Sequence, residues 1–144
     1  MDHITIETLR KMKAVGFSYP EYEHLLNHGM MFYYNDDEYF IGGFSNGAFS
    51  DMDKEVVQQG EWLPEAAQLL EWLTNTDFKF NISIDDGQYF TIKATDMIDG
   101  TLYIGGGLTL ANALAKTITK ICKANKRKYV PRERLTLKLL NEHS

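Results

Sequence analysis

The sequence predicts an α+β fold in which antiparallel β-meanders are packed with helices, and three observations carry that reading. Phe78, Phe80, Ile82 and Ile84 alternate with polar residues, the period of a half-buried strand. Strand-like runs are separated by turn chemistry at Asn35-Asp36-Asp37, Asn46-Gly47, Asp85-Asp86-Gly87 and Asp99-Gly100, which suits hairpins. Stripes of 3.6-residue period in 62–75 and 110–121 supply apolar helix faces to cover the strands. Dominance of hairpins favours α+β over a doubly wound parallel sheet.

The elements follow in the order α(α)-βββ-α-βββ-α, plus a short C-terminal helix. Thr5 to Ala14 reads as a helix with Ile6, Leu9 and Met12 on one side and Gly16 as its stop. Pro20 opens a second helix over 21–27, with Gly29 as its cap. Met30–Tyr34 and Glu38–Phe44 are two strands, and 48–50 starts a third, short one. The polar stretch 51–60 reads as a loop, and Trp62–Asn75 as a helix with Pro64 near its start. Phe78–Ile84, Gln88–Thr95 and Thr101–Ile104 form the second meander. Thr109 is the N-cap of a long helix that ends near Asn125, and Arg132–Asn141 is the last, short one.

At 144 residues the chain fits one domain with a core of its own. The organisation expected is a domain over 1–128, containing an α-βββ-α unit at 61–125, and a basic tail or short helix at 129–144. Apolar residues make up 44% and charged residues 24%, which excludes a mostly disordered chain. No apolar run approaches the roughly 18 residues of a membrane span. The start, Met1-Asp2-His3-Ile4-Thr5, lacks the basic and apolar regions of a signal peptide. A single cysteine, Cys122, can form neither an internal disulfide nor a cysteine zinc site, so a reducing cytoplasm is the expected compartment. Charge is unevenly spread: residues 1–110 carry 18 acids against 6 bases, and 111–144 carry 2 against 9. Such asymmetry suits a polar partner, or a tail lying on an acidic body.

Leu63-Pro64, Leu69-Leu70-Glu71-Trp72-Leu73, a hairpin, Tyr103-Ile104-Gly105 and Thr109-Leu110 with Ala113-Leu114 together resemble small uncharacterised proteins of phages, prophages and other mobile elements. The opening Leu9-Arg10-Lys11-Met12-Lys13-Ala14-Val15-Gly16-Phe17 is similar to theirs too. Over 63–124, the order helix, three-stranded meander, helix resembles a double-stranded-RNA-binding domain. That resemblance implies phosphate-binding lysines at the start of the final helix, where this sequence has Leu110, Ala111 and Asn112; its first lysine there is Lys116. Gly107, Thr109, Leu110, Ala113 and Leu114 also resemble the strand-to-helix junction of HicB-type antitoxins, without the Pro-Gly segment that precedes it in that family.

Three constellations are candidate sites. Gly105, Gly106, Gly107 and Thr109 precede a helix, where free N–H groups and the helix dipole can hold a phosphate or carboxylate. The same residues suit a strand-to-helix connection with a threonine cap, and the lysine of a P-loop is missing. His24 and His28 are four apart on the predicted second helix, a spacing that lets one face chelate a divalent metal. Lys116, Lys120, Lys123, Lys126, Arg127, Lys128, Arg132 and Arg134 form a basic ridge, with Tyr129 interleaved, that could meet phosphates. Solvated helix faces and cations suited to the helix C-terminus are the competing and simpler readings of the last two.

Other groups carry less. Asp51, Asp53 and Glu55 could share a cation if the segment is extended, but the ligand set of an EF-hand is incomplete. Asp36-Asp37 and Asp85-Asp86 fit turns better than catalytic pairs. Cys122 lies at the edge of an apolar stripe and reads as a small core residue. The function expected is that of a non-enzymatic binding protein of a phage or mobile element, working through a protein partner or self-association. Sequestration of a small anion at Gly105–Thr109 and nucleic-acid binding along 116–134 are the alternatives. No cofactor and no membrane contact are expected.

Overall fold

The computed structural model describes residues 2–43 and 47–124. Over these residues the fold is α+β, with five helices and two three-stranded antiparallel sheets.

Helix α1 (Ile6–Ala14) starts as expected, with Thr5 Oγ1 accepting from the Thr8 N–H at 3.3 Å. It buries Ile6, Leu9 and Met12. Helix α2 (Pro20–Glu23) is a single turn, not the helix over 21–27 that Pro20 and Gly29 suggest. Its aromatic residues are claimed by tertiary packing instead: Tyr22 stacks on Trp62 at 5.2 Å, and Tyr19 meets both rings edge-on. The Tyr19 N–H is satisfied by Glu23 Oε1 at 3.1 Å, so the turn closes on itself.

Strands β1 (Met31–Tyr34) and β2 (Asp37–Phe40) form a hairpin with Tyr34 opposite Asp37. Its two loop residues, Asn35 and Asp36, have φ of 53° and 61°, the left-handed pair of a type I′ turn. The third strand is not at 48–50. It is β3 (Glu61–Trp62), which pairs with the other edge of β1 and gives the order β2-β1-β3. Between them lies a helix where polar composition suggests a loop, α3 (Asp51–Gln59). Its polar residues conceal a capping box: Ser50 Oγ accepts from the Asp53 N–H at 3.0 Å, and Asp53 Oδ2 accepts from the Ser50 N–H at 2.9 Å. Val56 and Val57 supply the buried face.

Helix α4 (Ala66–Asn75) begins four residues after Trp62, because 61–64 are drawn into extended pairing. The Leu63 N–H donates to Met31 O at 2.8 Å, and the Ile4 N–H to Pro64 O at 3.0 Å. Gln68 Oε1 accepts from the Glu65 N–H, which marks the true start of the helix.

The second sheet has the expected meander of β4 (Phe78–Ile84), β5 (Phe90–Asp96) and β6 (Leu102–Gly107), in that spatial order. Asp85 Oδ1 accepts from the N–H groups of Gly87 and Tyr89, both at 3.0 Å, so this aspartate builds the β4–β5 turn. Strand β6 runs three residues beyond Ile104, through the glycines. Helix α5 (Leu110–Ala124) then lies across β6 and β5 and also touches α1 and α4. Ile92, Ala94, Leu114, Ile118 and Ile121 join Leu9, Leu69 and Leu73 in one buried cluster, so the two halves share a core. The Asn46-Gly47 hairpin signal and the helix expected at 132–141 fall wholly or partly outside the described residues. No described helix is long and apolar enough to cross a membrane.

Candidate functional site

Helix α5 is the element on which most of the sequence-derived candidates converge. The glycines before it belong to β6 and serve packing. A Cβ added at Gly105 would lie 2.3 Å from Thr117 Oγ1 and 2.7 Å from the Thr117 nitrogen. One at Gly107 would lie 3.0 Å from the Ala113 nitrogen. The opposite face of the strand is similar: at Gly106 the Tyr89 ring fills the space, and a Cβ there would lie 2.5 Å from Tyr89 Cε1. Absence of three side chains thus lets a helix and a tyrosine sit directly on the strand backbone.

The first turn of α5 is satisfied from within the chain. Asp2 Oδ2 accepts from the Ala111 N–H at 3.0 Å. Thr109 Oγ1 accepts from the Asn112 N–H at 3.1 Å. A carboxylate does occupy the anion-favouring end of this helix, and it is the protein's own. Thr109 caps as expected.

Lys116, Lys120 and Lys123 share an exposed face of α5. Lys120 Nζ donates to Ile104 O, tying the helix to the edge strand. Lys126, Arg127, Lys128, Arg132 and Arg134 lie outside the described residues, as does Tyr129. The described residues carry 18 acids against 9 bases, so the lysine row stands on an acidic body.

The helix that His24 and His28 would need to share ends at Glu23. The His24 ring nitrogen Nδ1 faces Val57 O at 3.5 Å. His28 stacks on Phe49 at 4.4 Å and packs against Gly42, where a Cβ would meet its ring. No cluster of three or more potential metal-ligating side chains occurs among the described residues.

Asp53 is removed from the carboxylate trio by its own capping role and is 5% exposed. Its Oδ1 accepts from Tyr39 Oη at 3.1 Å and from the Gly42 N–H at 3.3 Å. Burial alone would raise its pKa; the hydrogen bonds from the Ser50 and Gly42 backbone, Tyr39 and Ser50 outweigh it, and the carboxyl is held below its ordinary range. Glu55 instead accepts from Tyr34 Oη at 2.8 Å. Tyr34 and Tyr39 are therefore tied to α3. Cys122 is partly buried, and burial pushes its thiol up to about 11, a poor setting for a nucleophile.

One feature escapes sequence reasoning. Of nine large hydrophobic residues exposed among the described residues, seven lie in 84–108, on or beside the second sheet. Leu108 is 74% exposed, Ile98 63%, Met97 61% and Leu102 52%. The signal that could have found it is Met97-Ile98, an apolar pair between the turn residues Asp96 and Asp99-Gly100, where solvated residues are the norm. Comparison with protein-family models, curated proteins and solved structures gave no match.

Proposed function

We propose that this is a binding protein, not an enzyme, and that it works through protein contacts or self-association at the second sheet. The observation that carries the reading is the concentration of exposed apolar side chains in 84–108, led by Met97 and Ile98 at one end of the sheet and Leu108 at the other. The high thiol pKa of Cys122 and the internal use of Asp53 and of the α5 N-terminus leave less for chemistry. Origin in a phage or other mobile element, and a cytoplasmic setting, belong to this reading on the sequence resemblance and the lone cysteine.

Sedimentation of the full chain over a wide concentration range tests self-association. A photo-crosslinking residue at position 98, used in the cells that make the protein, tests a protein partner. The expected result is an oligomer that Met97→Lys with Ile98→Lys abolishes, or a discrete adduct that Met97→Lys with Leu102→Lys abolishes, while the thermal transition is kept. A monomer at all concentrations, with no adduct, overturns the reading.

The exposed row Lys116, Lys120, Lys123 supports a second reading, contact with nucleic-acid phosphates through this row and the basic residues that follow it in the sequence up to Arg134. Such binding would weaken steeply with salt and on neutralising Lys126, Arg127 and Lys128. Binding that neither salt nor neutralisation of Lys126, Arg127 and Lys128 weakens, or no binding at all, excludes it.

A further inference from the structure

Strand β6 is an edge of the second sheet among the described residues. Pairing with β5 alternates, and the Asp96 N–H to Thr101 O bond fixes its phase. Ala94 with Tyr103 and Ile92 with Gly105 are then the hydrogen-bonded pairs, and the backbone groups of Leu102, Ile104 and Gly106 point away from β5. The Ile104 carbonyl accepts from a side chain, Lys120 Nζ, where an added strand would donate. On the face away from α5, β6 presents Leu102 and Ile104, 52% and 43% accessible, and then Gly106. The other edge strand, β4, presents Lys79, Asn81 and Ser83 on that face, the polar chemistry that discourages pairing. The side chains of β6 carry no such guard.

Charge names the occupant. Residues 102–124 include three lysines and no acid, although the whole chain has 20 acids against 15 bases. Thr117 lies on Gly105 and Lys120 reaches Ile104 O, so the exposed row Lys116, Lys120, Lys123 runs along the β6 side of α5. The far face of the sheet agrees: Lys93 stands opposite Ile104, and no strand residue of that face is acidic. A second copy paired about a two-fold axis would set this lysine row against its own counterpart. Residues 125–144, with six bases against two acids, share its sign. Nucleic-acid phosphates would use the lysines and leave the backbone row, Leu102 and Ile104 unmatched. Spacing suits an extended acidic guest: Lys116 and Lys120 are about 6 Å apart along the helix axis, and alternate residues of a strand about 7 Å apart. We propose that the edge of β6, alongside α5, takes an extended acidic segment of a partner polypeptide as a fourth strand. Main-chain bonds to Leu102, Ile104 and Gly106 hold it, and its apolar side chains lie beside Leu102 and Ile104. Carboxylates at alternate positions meet Lys116 and Lys120 and draw Lys120 off the Ile104 carbonyl. The protein-contact reading, on which this rests, thereby gains a partner chemistry and a place.

The probe is a seven-residue peptide of alternating valine and glutamate, titrated into the full chain and followed by NMR. It should shift the amides of Ile104 and Gly106 and slow their hydrogen exchange. A valine–lysine peptide of the same length should bind at least about tenfold more weakly. Methylating every backbone nitrogen of the glutamate peptide keeps its charge and should abolish binding. Lys116→Glu with Lys120→Glu should exchange the preference, so that the lysine peptide binds and the glutamate peptide does not. Lys116→Gln with Lys120→Gln, the milder pair, should lower affinity for the glutamate peptide by a similar factor. An unchanged thermal transition checks that each variant is folded. No shift at the edge with the glutamate peptide, equal binding of both peptides, or binding that survives methylation overturns the proposal. Edge amides already protected in the free protein overturn it in favour of an occupant within the chain, or of a second copy where protection grows with concentration. A single-stranded oligonucleotide that shifts the lysine row while the peptide does not overturns it in favour of nucleic acid. Peptide failure alongside an adduct at position 98 defeats the edge proposal alone; failure of both defeats the protein-contact reading with it.

Discussion

Around the first sheet, Asp53, Ser50, Tyr39 and Gly42 are joined by side-chain hydrogen bonds, and Tyr19, Tyr22 and Trp62 interlock as rings. In the second sheet the decisive positions are Gly105 and Gly107, where the lack of a side chain brings α5 onto the strand. The sheets are alike in strand number and antiparallel order, yet they are joined to their helices by opposite means. A polar knot tolerates added bulk nearby but not the loss of a partner, because an orphaned buried donor or acceptor carries its full desolvation cost. A contact between backbones tolerates loss of a peripheral group but not an added methyl group.

The largest effect should come from filling the second contact. Gly105→Val places carbon against the backbone of α5, and should cost about 3 kcal/mol, or a fall in Tm of about 10 °C for a chain this size. Gly87→Ala, where a Cβ comes no closer than 3.5 Å to Asp85, is the control and should melt near the wild type. Equal melting of the two variants would show that α5 does not rest on β6 as described.

Next in size is removal of the knot. Asp53→Ala leaves Tyr39 Oη and the Ser50 and Gly42 N–H groups without their acceptor and removes the reciprocal half of the α3 capping box, a loss of about 2 kcal/mol by denaturant titration. Because the folded-state pKa of Asp53 is lowered, its contribution is complete above the ordinary carboxylate range and disappears as pH falls through the folded value. Wild-type stability should therefore drop below about pH 4, and Asp53→Asn should flatten part of that slope. An unaltered slope in the variant would remove Asp53 from the account.

Smaller still is the cap that joins the N-terminal segment to the second unit. Asp2→Asn weakens the charge-assisted bond to the Ala111 N–H and should cost about 0.5–1 kcal/mol, less at high salt. The last prediction concerns reactivity more than stability. Cys122 in the folded protein should label slowly with a maleimide at neutral pH, and rapidly once denaturant unfolds α5. Fast labelling of the native chain would mean that the helix opens far more readily than its packing implies.

The second sheet is the more legible in the sequence. Alternation in 78–84, Asx turns at Asp85 and Asp99, and the stripe of α5 are local signals, and the elements form near where their own residues place them, except that β6 runs on through Gly105–Gly107. The first sheet departs from its sequence signals where partners distant in the chain decide. A two-residue strand at Glu61–Trp62 has no period of its own and exists because β1 offers an edge. Helix α3 is concealed by its polar residues, although Ser50 and Asp53 stand at capping-box spacing.

At the candidate site the division is the same. Residue order alone determined that Thr109 would cap α5 and that Lys116, Lys120 and Lys123 would share a face, since both follow from helix geometry within a turn or two. Only the tertiary structure brought Asp2 to the Ala111 N–H across 109 residues, turned the three glycines from a ligand cradle into a packing surface, and gathered the exposed hydrophobic residues around one sheet. Short-range hydrogen bonding and periodicity are written in neighbouring residues, whereas burial and close approach depend on which distant surfaces meet, and that is settled only when the whole core forms.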